Sequence, residues 1–87
     1  MIPRIVLYTK PNCSLCVKAS SMIERVIQQQ SATHPRIAFK TLDIETVPEL
    51  EAQFGFSVPV VLVNDLIVSE SRIDGRAIRI ALESIKN

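Results

Sequence analysis

Cysteine is scarce in this 87-residue chain and histidine scarcer, with two of the first and one of the second. A secreted domain stapled by a disulfide framework carries more cysteines than that. A closed zinc site wants four ligands, and Cys13, Cys16 and the distant His34 do not supply them within one chain. Neither sign of charge dominates, with ten Lys and Arg against nine Asp and Glu. A general nucleic-acid binder shows a basic excess and an acidic tail the reverse, so both are excluded. No apolar run approaches the roughly 18 residues that a membrane span needs. Residues 1–5 lack the basic and apolar pattern of a signal peptide. The expected setting is the cytoplasm, with neither a membrane nor a nucleic acid as partner. No internal repeat, low-complexity tract or linker interrupts the chain, and residues 1–87 read as a single domain.

What is present is ordered by hydrophobic period. Ile5-Val6-Leu7-Tyr8 is an unalternating apolar run, which predicts a strand buried on both faces. From Leu15 to Gln30 the period changes. Leu15, Ala19, Met22, Ile23, Val26 and Ile27 fall on one helical stripe, with polar side chains opposite. Residues 36–42 predict a second strand, parallel to the first through a right-handed crossover. Thr46 and Glu49 have the spacing of a capping box, with Pro48 in the first turn of a short helix and Gly55 as its stop. Residues 58–63 predict a buried strand, Asn64-Asp65 a hairpin turn, and residues 66–69 the returning strand. Asp74 is placed to cap a last helix whose inward positions are Ala77, Ile78, Ala81, Leu82 and Ile85. The order is β-α-β-α-β-β-α, an α/β domain with a small mixed sheet flanked by helices.

Chemistry concentrates at Cys13-Ser14-Leu15-Cys16, between the first strand and the first helix. In a reducing compartment such a pair is redox-active or metal-binding rather than structural. Disulfide exchange needs a thiolate. Cys13 falls where the helix begins, so unpaired N–H groups and the positive end of the helix dipole face its sulfur. Lys10 and Lys18 add positive charge nearby. Cys16 is one turn further in and expected to be more buried. Cys13 is therefore read as the nucleophile and Cys16 as the resolving thiol. The bland alternative for the pair is half of a zinc site completed by another chain. Pro59 opens a strand to which it cannot donate a hydrogen bond. It becomes reasonable if Val58-Pro59 is cis and faces the cysteines, leaving the Val58 N–H and C=O to pair with an extended substrate backbone.

These elements together resemble the glutaredoxin branch of the thioredoxin superfamily. The matching residues are Tyr8-Thr9-Lys10-Pro11-Asn12-Cys13-Ser14-Leu15-Cys16, Asp43-Ile44-Glu45 before a short helix, and Val58-Pro59-Val60. The resemblance runs from Ile5 to about Leu82, nearest to the small glutaredoxin-like proteins whose motif is not Cys-Pro-Tyr-Cys. It implies the thioredoxin/glutaredoxin-like fold with a four-stranded sheet. It implies a thiol-disulfide oxidoreductase acting on protein disulfides or glutathione mixed disulfides. Cys13 and Cys16 would be catalytic, Lys10 would approach a glutathione carboxylate, Val58 would pair with substrate backbone, and Pro59 would supply the cis bond. It further implies no tightly bound cofactor, glutathione as co-substrate, glutathione or a reductase as electron donor, and a monomer.

The chain also departs from that pattern. Ser14-Leu15 replaces the usual Pro-Tyr between the cysteines, and Ser69-Glu70 aligns where a Gly-Gly approaches the ligand. A side chain is then expected to fill that space. These changes motivate the competing reading of a non-catalytic adaptor or metal-binding module on the same fold. Smaller signals are read blandly. Tyr8 is expected to pack at the core edge, His34 to sit solvated in a loop, and Arg72, Arg76 and Arg79 to be simply solvated, with a basic face for a protein partner as the alternative.

Overall fold

A computed structural model of the chain describes residues 2–85. The elements are β1 (Arg4–Thr9), α1 (Ser14–Gln29), β2 (Ala38–Asp43), a 3-10 turn (Ile44–Thr46), α2 (Pro48–Phe54), β3 (Val60–Val63), β4 (Leu66–Glu70) and α3 (Gly75–Glu83). The sheet order is β2-β1-β3-β4, with β1 parallel to β2 and antiparallel to β3, and β3 antiparallel to β4. The mixed four-stranded α/β architecture is the one expected from the sequence.

Strand alternation divides the interior in two. Ile5, Leu7, Val61 and Val63 turn one way and pack on Ala19 and Ile23 of α1 and on Ile78 and Leu82 of α3. Val60 turns the other way and, with Ile44 and Phe54, makes a smaller core under α2. Tyr8 joins this second core at its edge, its ring 5.3 Å from that of Phe54. β1 is therefore covered on both faces, fully on the α1/α3 side and partly on the other. Helices α1 and α3 meet near Gly75, where an added Cβ would lie 3.1 Å from Met22 Sδ. The β3–β4 turn places Asn64 and Asp65 at φ 49° and 71°, a conformation that Asn and Asp tolerate better than most residues. Asn64 Oδ1 accepts from the Arg4 N–H, and the Arg4 guanidinium pairs with Asp65 at 2.8 Å. Among the described residues no helix is long and apolar enough to cross a membrane.

Four local expectations need correction. Leu15 is not on the buried stripe: that stripe runs through Cys16, Ala19, Ile23 and Val26, and Leu15 is 54% exposed. The capping box does not form. Asp43 takes the N–H of Glu45, and Thr46 donates to the Asp43 carbonyl at 2.7 Å. The chain spends one 3-10 turn there, so α2 starts after Val47 with Pro48 in its first turn and no side-chain cap. Ser69 does not project into a ligand space. A register shift in the hairpin pairs it with Val61, and its hydroxyl, nearly buried, donates to the Arg72 carbonyl and accepts from the Asp74 N–H. His34 is not solvated but 2% exposed, folded under the end of α3 with Nε2 2.9 Å from the Leu82 carbonyl. That carbonyl can only accept, so Nε2 carries the proton. Nδ1 is buried without a hydrogen-bond partner.

Candidate functional site

β1 delivers the chain to a turn over Pro11 and Asn12, and Asn12 takes φ 59°. The reversal aims the next residues into α1. Cys13 is the N-cap, extended at φ −110° and ψ 100°, and its sulfur accepts from the Cys16 N–H at 3.1 Å. No acidic side chain occupies the first turn of the helix. Cys13 and Cys16 form a disulfide with their Cα atoms 5.2 Å apart. The sulfurs differ in access: Cys13 is partly exposed at the lip, whereas Cys16 lies on the buried stripe at 3% exposure.

A groove of about 360 Å³ opens beside Cys13, walled by Lys10, Leu15, Gly55, Phe56 and Val58. Lys10 Nζ donates to the Gly55 carbonyl at 3.1 Å, which holds the ammonium across the groove floor. Gly55 itself is spatially required, because a Cβ there would lie 2.6 Å from the Glu51 carbonyl oxygen. The Val58–Pro59 peptide bond is cis and Pro59 is buried. The Val58 N–H and C=O have no hydrogen-bond partner among the described residues.

Lys10, Cys13, Cys16 and Val58 thus come together as one cluster. Pro59 stands in an adjoining depression that shares Leu15 as a wall. Lys18 lines that second depression rather than the Cys13 groove. Asp74 caps α3, its carboxylate accepting from the N–H groups of Arg76 and Ala77. Among the described residues no group of three or more His, Cys, Asp or Glu is arranged to hold a metal ion.

Two residues of this region escaped the sequence reading. Phe56 is fully exposed beside Cys13, and its only sequence signal is an aromatic outside any period between Gly55 and Ser57. Ser71, at φ 63°, ties down the cis-proline segment. Its N–H lies 2.8 Å from both the Ser57 and Pro59 carbonyls, and its hydroxyl donates to Ser57. Nothing in the sequence marks a serine for left-handed backbone.

Comparison with known proteins agrees with this geometry. The family model described as glutaredoxin-like domain (DUF836) matches residues 4–83. Protein Ne2328 from Nitrosomonas europaea superposes with a TM-score of 0.74 at 20% identity, covering 93% of this chain and 92% of that one. Protein XcR50 from X. campestris gives 0.70 at 22% identity, covering 94% and 99%. Thioredoxin 1 from Thermosipho africanus gives 0.58 at 20% identity, covering 92% and 94%. None of the curated proteins matches the chain by sequence. The structural likenesses establish the thioredoxin fold, and the match over nearly the whole chain establishes that this protein belongs to the glutaredoxin-like family.

Proposed function

We propose that this protein is a dithiol-disulfide oxidoreductase that reduces protein disulfides or glutathione mixed disulfides. The observation that carries the reading is the unequal pair. Cys13 stands at a helix start, open to the groove, with the Cys16 N–H aimed at its sulfur. Cys16 is shielded one turn below. In the reduced protein the N–H and the helix terminus favour a thiolate on Cys13. That thiolate attacks one sulfur of the substrate disulfide, the S–S bond breaks, and the other sulfur leaves as a thiolate. Cys16 then loses its proton and attacks Cys13 Sγ. The Cys13–Cys16 disulfide forms and the second substrate thiolate leaves. Two electrons have passed to the substrate, and glutathione or a reductase returns them. The dithiol supplies the electrons, so the cycle requires no bound cofactor.

The surrounding groups position the substrate. The free Val58 N–H and C=O pair with an extended backbone beside the buried Pro59, and Lys10 offers an ammonium to a carbonyl or carboxylate in the same groove. Exposed Leu15 and Phe56 on its rim favour a polypeptide disulfide over a small polar one. The protein acts as a monomer in the reducing cytoplasm. The test is a trap. Cys16→Ser incubated with a disulfide peptide accumulates a protein–peptide adduct of the peptide-thiol mass, while the wild type releases both thiols. A Cys16→Ser protein that forms no adduct, beside a wild type that leaves the peptide oxidised, favours an adaptor without exchange chemistry.

A further inference from the structure

The balanced net charge conceals an uneven distribution along the chain. From residue 41 to residue 71 there is no Lys, Arg or His, while Asp43, Glu45, Glu49, Glu51, Asp65 and Glu70 all fall there. Half of the ten cations, Lys18, Arg25, Arg72, Arg76 and Arg79, instead border the seam between α1 and α3. All five are exposed, and none makes an ion pair among the described residues. On α1, Leu15, Lys18, Met22, Arg25 and Gln29 recur at intervals of three and four residues, which is one stripe of a helix. Arg72, Arg76 and Arg79 form the facing wall. Successive depressions between the walls share lining residues. Leu15 is shared with the Cys13 groove, Met22 links the next two, and Gln29, Arg76 and Arg79 link the last.

The acids near this seam do not neutralise it. Asp74 is engaged in capping α3, Glu24 lies off the stripe, and Glu83, which lines the last depression with Arg76 and Arg79, pairs with neither and accepts instead from Gln30 Nε2 at 3.4 Å. Resting on the oxidoreductase reading, we infer that the seam is a docking track for an acidic segment of the disulfide-bearing polypeptide. The segment lies along α1 and α3 and delivers its disulfide to Cys13 at the Leu15 end. Unpaired cations in a groove raise the local concentration of an anionic partner and speed its encounter, an effect of about 10-fold or more that salt suppresses.

The test uses two synthetic peptides with the same disulfide, one followed by four Glu residues and one by four Ser residues. It also uses a small uncharged disulfide, 2-hydroxyethyl disulfide, with turnover sustained by a chemical dithiol. At low salt the wild type reduces the Glu peptide with kcat/KM roughly 10-fold above the Ser peptide, and the preference collapses at several hundred millimolar salt. The Arg76→Glu/Arg79→Glu protein loses that preference and keeps its rate on hydroxyethyl disulfide within about 2-fold. Arg36→Glu/Lys40→Glu, which places the same charge change off the seam, keeps the preference. No preference in the wild type, or equal losses in both double variants, overturns the docking track. So does tighter binding of a single-stranded oligonucleotide than of the Glu peptide by fluorescence anisotropy. Failure of the wild type on both peptides as well as on hydroxyethyl disulfide refutes instead the exchange chemistry on which the track depends.

Discussion

Replacing His34 separates the folded structure from a purely local reading of the chain. A solvated loop histidine tolerates truncation within about 0.5 kcal/mol. The observed imidazole is 2% exposed and its Nε2–H donates to the Leu82 carbonyl. Truncation to Ala removes about 2 kcal/mol of buried side-chain surface, of the order given by a fully buried apolar side chain. It also removes a hydrogen bond of net ~1 kcal/mol. Against this, the orphaned Nδ1 returns to water or disappears, which recovers about 1 kcal/mol of desolvation. The net loss is therefore about 2 kcal/mol, or roughly 8–16 °C in Tm for a domain of this size. His34→Leu keeps the volume and deletes the unpartnered nitrogen. The Leu82 carbonyl still accepts from the Ile85 N–H, so this variant is expected to lose under about 1 kcal/mol. Urea unfolding of the oxidised proteins, followed by circular dichroism at neutral pH, gives both values. If Ala and Leu variants both unfold within about 0.5 kcal/mol of the wild type, His34 is not buried as described.

Gly55→Ala sets a Cβ against the Glu51 carbonyl oxygen and shifts the carbonyl that holds Lys10, with an expected loss of about 1–3 kcal/mol in urea unfolding. An unchanged midpoint contradicts the close approach. Asp74→Ala should lower stability by ~1 kcal/mol through loss of the cap on α3, while Asp74→Ser retains most of it by thermal melt. Equal behaviour of the two variants removes the capping role. Leu15→Ser with Phe56→Ser should leave stability within about 0.5 kcal/mol, since both side chains are exposed. The same change should raise KM for a peptide disulfide by roughly 5-fold, near 1 kcal/mol of lost contact, and leave the rate on hydroxyethyl disulfide unchanged. A uniform fall on both substrates speaks against a substrate-binding rim.

The parts of this fold that were legible rest on local signals. The period switch from Ile5-Val6-Leu7-Tyr8 to the α1 stripe marks strand and helix, and Asn64-Asp65 marks a turn through its tolerance of positive φ. The two cysteines were legible as a site because strand and helix place them at a helix start. What was missed depends on partners distant in sequence or on competing local bonds. His34 is buried by Leu82, 48 residues away, and no window around residue 34 contains that contact. The box at Thr46 lost to Asp43, a second capping residue three positions upstream. Leu15 fits the apolar period yet is exposed, since the stripe is set by Cys16 and its successors. Ser69 faces inward because the hairpin register slips between Val61 and Leu62. Phe56 and Ser71 acquire meaning only when the loop after α2 and the end of β4 meet beside Pro59.

The central claim is that Cys13 performs the chemistry, and its direct measurement is the rate of peptide disulfide reduction by wild type and Cys13→Ser under one regenerating dithiol. The structure predicts that the variant falls to the rate of the dithiol alone, because Cys16 is shielded from any substrate sulfur. Turnover by Cys13→Ser comparable to wild type would contradict the assignment of nucleophile and resolving thiol.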